Sequence, residues 1–365
     1  MDRRLFLSTA LSVAAAPVFA AGQKSTKVAL LGQALIEHLA PDAAHWPGRA
    51  AVADALKNFD VVFSNFETSI KGPRAGTPTR EALTLHAATP EVFDTLRAVH
   101  INLMSTANNH AFDFNTGGIL DTIDAFIAAK MPFAGTGRTL AEAAAPAYTK
   151  NAALVAFATG KIREGGMATP TRPGVNEVRR GADGLTLPED RDRVLNAIAQ
   201  AKAKADIVIA YQHNHDWEPD NSQVPGWQRV FAKQCVDAGA SIFVGHGAPL
   251  LQGIEVYKGT PLIYGLGSFI FQTEKPVGAY GPESWQTAIA DCTFTGSACT
   301  SLRLVPLALN EIGLKGPEDM ATRGAPSLAT PEHARAILNH IGALSKPFGT
   351  AIALHDSGRE ATVMI

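Results

Sequence analysis

Ser105-Thr-Ala-Asn-Asn-His-Ala-Phe-Asp-Phe-Asn115 follows the apolar run Ile101 to Met104, so Asn109, His110 and Asp113 stand directly behind what reads as a short buried strand. All three side chains can meet a metal ion or a phosphate. The carboxyl ends of strands are where open α/β sheets carry their ligands. The reading holds if the chain on either side repeats the order of strand, polar end and helix.

It does so in both directions. Upstream, Lys27 to Leu31 reads as a strand ending at Gly32, Ala50 to Asn58 has helical spacing, and Val61 to Phe63 is a second strand. Residues 69 to 84, with Gly72, Pro73, Gly76 and Pro78, read as a long loop of the kind that forms lids. The helix Pro90 to Val99 takes Thr89 as its N-cap and Pro90 in its first turn. Downstream, Thr116 to Lys130 presents Ile119, Leu120, Ile123, Phe126 and Ile127 on one helical face, and Ala152 to Phe157 is a further strand. A second long loop covers Gly160 to Thr186. The helix Pro188 to Lys204, the strand Asp206 to Ala210, the helix Pro225 to Ala238 and the strand Ser241 to Val244 continue the alternation.

From Leu250 the pattern changes to short runs separated by turns: Leu251–Tyr257, Pro261–Tyr264, Ser268–Phe271, Ala288–Phe294 and Thr300–Pro306. These predict antiparallel strands that form a second sheet or an extension of the first. A helix, Pro331 to Leu344, and a strand, Ala361 to Ile365, close the chain. No fixed-period repeat or heptad pattern occurs.

The 365 residues accommodate one elaborated α/β domain and permit two. A hydrophobic share of 46% and a charged share of 18% exclude disordered and membrane-embedded classes, and a net charge of -2 without a basic stripe argues against nucleic acid as a partner. At the N-terminus, Met1-Asp-Arg-Arg-Leu-Phe-Leu-Ser8 precedes the alanine-rich run Ala10 to Ala16, and Val18-Phe-Ala20 offers a cleavage site. Residues 1–20 are thus expected to be a twin-arginine export signal. The mature protein is expected to be periplasmic or secreted, without a stable membrane span. Cys292 and Cys299 flank a turn where they either pair across a hairpin or remain two small apolar side chains, and Cys235 is expected to be a buried thiol.

The predicted strands end in Gly32-Gln33, Ser64-Asn-Phe-Glu67, Asn108-Asn-His110, Gln212-His-Asn-His215 and Gly245-His246. If the strands run parallel, these ends share one edge and their side chains converge. Imidazoles, an amide oxygen and a carboxylate together suit Zn, Mn or Fe better than Ca. Each piece alone has a plainer reading: a loop histidine, or for Glu67 a turn or helix-capping carboxylate. On an extended strand His213 and His215 face the same side; a bend leaves only one pointing in. His38, His45, His86, His100, His333, His340 and His355 have no strand-end context and read as surface residues. A Gly-x-Ser-x-Gly elbow, a P-loop and a Gly-x-Gly-x-x-Gly turn after a strand are all missing from the sequence.

Ser64-Asn-Phe-Glu67, Ala107-Asn-Asn-His-Ala-Phe-Asp113 with Gly118 and Thr122, His213 with Trp217-Glu218, and Gly245-His246 leading into Gln252-Gly-Ile-Glu255 and Tyr264-Gly-Leu-Gly-Ser-Phe269 occur in the order and spacing of one family. The chain resembles the CapA family of capsule and poly-gamma-glutamate synthesis proteins, relatives of the calcineurin-like metallophosphoesterases. The resemblance covers roughly Val28 to Phe271. It implies an α/β/β/α sandwich spanning residues 27–310, with 311–365 as a C-terminal extension packed on the same domain. It also implies metal-dependent hydrolysis or transfer at a phosphoester or a gamma-glutamyl envelope polymer. By position, Glu67, Asn109, His213 and His246 would hold the ion, with His215 a further candidate, and His110 would face the scissile group with Asp113 in the catalytic pair. Three positions depart from the family pattern: Gln33 replaces an Asp, Pro249 a His, and Ser268 an Asn. The first two remove expected ligands, so one divalent ion is expected rather than two. The other reading is a catalytically impaired relative that binds an envelope polymer or a synthesis partner.

Overall fold

In the computed structural model, which describes residues 25–38 and 46–365, the alternation becomes two stacked sheets flanked by helices. The export signal and His45 lie outside the described residues. In chain order the main elements are β1 (Ser25–Leu30), β2 (Gln33–Leu35), α1 (Arg49–Leu56), β3 (Val61–Asn65), α2 (Val92–Ala98), β4 (Leu103–Ser105), α3 (Asn115–Ala128), β5 (Ala152–Thr159), α4 (Pro188–Lys202), β6 (Ile207–Asn214), α5 (Gly226–Asp237) and β7 (Ile242–His246). They are followed by β8 (Ile254–Tyr257), β9 (Thr260–Ile263), β10 (Ser268–Phe271), β11 (Gln286–Thr295), β12 (Ala298–Leu309) and α6 (Pro331–Ser345).

A nine-stranded sheet runs Ile352–Leu354, Ala361–Val363, β12, β11, β1, β3, β4 and Phe133–Ala134, with Pro326–Leu328 also paired to β12. The second sheet has six strands in the order β8, β9, β7, β6, β5 and Ala147–Thr149. β1, β3 and β4 are mutually parallel, as are β5, β6 and β7.

The period of two along each strand divides the apolar residues between layers. Val28, Leu30, Val61 and Phe63 of the first sheet face Leu154, Ile207, Ile209, Tyr211 and Val244 of the second in one central core. The Phe63 and Tyr211 rings meet there at 5.2 Å. The alternate residues Ala29, Val62 and Met104 pack outward under α1, α2 and part of α3. Ala153, Val155, Val208, Ala210 and Phe243 pack outward under α4 and α5. This is the four-layer α/β/β/α sandwich that the resemblance implies.

The sequence reading is revised at three places. Of the two outcomes expected after Leu250 the extension is found, with β8 and β9 extending the six-stranded sheet and β11 and β12 completing the nine-stranded one, but β9 beside β7 and β10 beside β2 pair in parallel rather than antiparallel. α2 begins at Val92, because Thr89 and Pro90 form a preceding turn in which their carbonyls accept from the Val92 and Phe93 amides. β6 runs to Asn214, well beyond its apolar stretch. Neighbours on both sides keep its backbone paired, with Thr159 opposite Asn214 and His246 opposite His213. Cys292 and Cys299 are free thiols; Cys299 stands opposite Phe294 and Cys292 opposite Leu302, so the two are diagonal neighbours rather than partners. Cys235 is buried, as expected.

Candidate metal centre

The parallel strands of both sheets end along one rim, and the polar residues after them line a cleft of about 330 Å³. Gln33, Glu67, Asn109, His110 and His215 all face this cleft. Glu67 is carried by the turn after β3. Asn109 and His110 follow β4 in a loop fixed by Asn108, whose side chain donates to the Phe66 carbonyl (2.7 Å) and accepts from the His110 amide (3.0 Å).

One group of potential ligands joins the two sheets. Ligand atoms of Glu67, His213 and His215 lie within 4.8 Å of one another. Glu67 Oε1 is 3.4 Å from His213 Nε2 and 3.9 Å from His215 Nε2. Asn109 Oδ1 is 2.8 Å from His213 Nε2, while Tyr211 and Asn65 approach His213 Nδ1 at 3.3 and 3.5 Å. His213 and His215 both point inward, their rings 4.8 Å apart, because β6 stays extended past its apolar core. His246 is buried at the end of β7 against the Tyr211 ring at 5.3 Å, outside the group of three.

Burial with few partners sets the electrostatics. Glu67 Oε2, Gln33 Oε1, Ser268 Oγ and both ring nitrogens of His215 and His246 are buried without a hydrogen-bond partner. Such orphans are costly in a protein interior unless a ligand satisfies them. Burial raises the Glu67 carboxyl well above its usual range, against the pull of Arg80. Burial pushes His213 and His215 well below the usual imidazole range and His246 down to about 3. Neutral imidazoles around a buried carboxyl with an unpartnered oxygen are a donor set prepared for a cation. The mixed N and O donors fit a borderline divalent ion.

Behind the donors lies a second network. His110 Nδ1 is 2.9 Å from Asp113 Oδ2, which also accepts the His86 amide (2.9 Å). Arg80 donates to Asp113 Oδ1 (2.6 Å) and to the Asn109 carbonyl (2.5 Å). Burial lifts Asp113 to about 6 although Arg80 and His86 oppose it, and burial, then His86 and Arg80, lower His110 well below its usual range. Asp113 is fully buried and does not line the cleft, and it meets the cleft residue His110 from behind.

His86 corrects the sequence reading. It is buried, its ring lies 4.2 Å from that of His110, and its Nδ1 is 2.6 Å from Glu37 Oε1. It stands at the exit of the long loop read as a lid, and Arg80 lies within that loop; the one sequence signal for both was the length of the loop itself. His38 is half-buried with its Nε2 shielded, whereas His100 is exposed and His333, His340 and His355 are half-buried away from the cleft. Gln33 and Pro249, the two departures from the family pattern, both line the cleft.

A four-layer α/β sandwich with a metal-compatible cleft over its parallel strand ends is the class of protein these features define. The model of the family described as bacterial capsule synthesis protein PGA_cap matches residues 27–273, and the chain belongs to that family. Protein y4sH of Sinorhizobium fredii, uncharacterised, is 28% identical over 86% of this chain and 88% of its own. The capsule biosynthesis protein CapA of Bacillus anthracis is 32% identical over 60% of this chain and 52% of its own. Among solved structures, TT1561 of Thermus thermophilus gives a TM-score of 0.39 at 10% identity over 74% of this chain and 99% of that one.

Proposed function

We propose that this protein is a metal-dependent hydrolase or transferase of capsule or cell-envelope polymer metabolism, acting on a phosphoester or a gamma-glutamyl bond. The observation that carries the reading is the convergence of Glu67, His213 and His215 within 4.8 Å, with orphaned buried donor atoms, at the floor of a cleft. Membership in a capsule synthesis family supplies the polymer context. In this reading, export through the twin-arginine segment carries the activity out of the cytoplasm, and among the described residues no helix is long and apolar enough to cross a membrane.

Glu67, Asn109, His213 and His215 would hold one divalent ion, with His246 behind them, and an ion held there supplies Lewis acidity toward a phosphoryl or carbonyl oxygen. The rest of the work falls to side chains. Asp113 keeps the Nδ1 proton of His110, which leaves Nε2 to take a proton from the attacking group and return it to the leaving group. Arg80, fixed by Asp113 and the Asn109 carbonyl, sets positive charge beside the reacting anion.

The test is a panel of phosphodiester and gamma-glutamyl peptide substrates offered to the full chain loaded in turn with Mn, Zn and Fe. Turnover of at least one substrate is expected, with His110→Ala slowing it by about 100-fold or more. Gln33 and Pro249 on the cleft wall favour a second reading, a relative that binds an envelope polymer or a synthesis partner without turnover. Silence across the whole panel with every ion would leave that second reading standing.

A further inference from the structure

We infer that Lys161 and Lys275 form an anion-binding subsite at the mouth of the cleft, which takes a second acidic group of a substrate whose reacting group sits at the donor cluster. The inference rests on the proposed reading only for what lies at the cleft floor; the subsite itself is built from other residues.

Lys161 follows the carboxyl end of β5 through two successive left-handed residues, Gly160 (φ 78°) and Lys161 itself (φ 54°). A lysine in that region of backbone space is strained, and such strain collects at ligand-binding segments. The turn is pressed against the chain that carries His215: a Cβ at Gly160 would come within 2.9 Å of the His215 carbonyl carbon. It carries the Lys161 ammonium to 4.3 Å from the centre of the Trp217 ring, which in turn lies 4.6 Å from the His215 ring. Beyond β10, Lys275 stands 5.1 Å over Tyr280. Both lysines line the cleft together with Arg80.

Neither lysine makes an ion pair with a carboxylate among the described residues. The neighbouring acid, Glu274, groups with Glu37 and His38 instead. Arg80 is already held by Asp113. An aromatic ring orients an ammonium without neutralising it, so the mouth keeps a positive field on a chain whose net charge is -2. Burial and the charges of Arg80 and Lys275 also hold the Lys161 ammonium below its usual range, a strain that a bound anion relieves. A reacting group at the floor and an anion grip at the mouth suit a polymer with a repeated carboxylate or phosphate rather than a single small ester.

Calorimetric titration of the full chain at low salt, before and after chelator treatment, tests this with tripolyphosphate and a short gamma-linked glutamate oligomer as probes and acetate and monophosphate as controls with a single anionic group. At least one oligoanion should bind more tightly than its single-group unit. Lys161→Gln with Lys275→Gln should weaken that binding about tenfold, as should physiological salt, while Lys161→Arg with Lys275→Arg retains it. Whichever oligoanion binds more tightly identifies the repeat, and either preference supports the subsite. Equal affinity in the wild type and the double Gln variant, or no preference for oligoanions over single anionic groups, overturns it. Because binding is read on chelated protein too, loss of the subsite and loss of the metal reading give different results.

Discussion

Glu67 is a residue at which stability and chemistry pull in opposite directions. Its carboxyl is buried, half unpartnered and raised in pKa by that burial, so without a cation it weighs against the fold. Glu67→Gln removes the charge at nearly constant shape. In the presence of chelator the variant is expected to be at least as stable as wild type, by up to about 1 kcal/mol in urea unfolding, while losing the metal-induced gain of about 2.7 kcal/mol expected at one hundred times the dissociation constant. A chelated variant markedly less stable than wild type contradicts the account. Glu255 shows the opposite behaviour. Burial would raise its carboxyl, but hydrogen bonds from Arg229, Lys233 and Tyr264 hold it at about 2, so this part of the family motif is an ion-pair anchor between α5 and β8. With the folded pKa below the unfolded value of about 4.3, its contribution is full above that pH and is lost as pH falls toward 2. The stability gap between wild type and Glu255→Gln, about 1–3 kcal/mol at neutral pH, should therefore close between about pH 4.5 and 2. A gap unchanged across that range excludes the ion pair as its source.

At the scale of elements, the cleft depends on strand ends that approach one another closely. Gly247, just past β7, has φ 133°, and a Cβ there would lie 1.9 Å from the Asn214 carbonyl oxygen. Gly247→Ala is expected to cost about 2–4 kcal/mol and to displace the β6 and β7 ends, lowering metal affinity along with the melting temperature; a variant with wild-type affinity would show that these ends are not coupled. The parallel strands were legible as short continuous apolar runs, as in Ile207 to Ala210, whose alternate residues the fold divides between two cores, and the helices by their period of 3.6. The polar tail of β6 was not, since its pairing is imposed by β5 and β7 and not by its own side chains. The same holds in the site. Glu67, Asn109, His110 and His213 announce themselves by standing behind apolar runs. His86, Arg80 and Lys275 reach the cleft from long loops whose course local pattern does not determine.

The molecule as a whole closes its first sheet with its last residues. Ala361–Val363 pairs with β12, and Ala334, Ile337, Leu338 and Ile341 of α6 enter the central core beside Leu302 and Leu304. A chain ending at residue 310 would expose that surface, at about 1.5–3 kcal/mol for each large side chain uncovered. It is expected to lose cooperative unfolding and to bind a hydrophobic dye, whereas a soluble fragment with a sharp transition would make residues 311–365 dispensable. In the proposed reading the sandwich holds one ion where its two sheets meet. The most direct test is elemental analysis of the full chain, purified with its N-terminal segment intact from metal-supplemented cells, beside Glu67→Gln with His215→Ala. About one equivalent of a transition metal is expected in the wild type and close to none in the double variant. Protein free of stoichiometric metal, or equal metal in both, contradicts it.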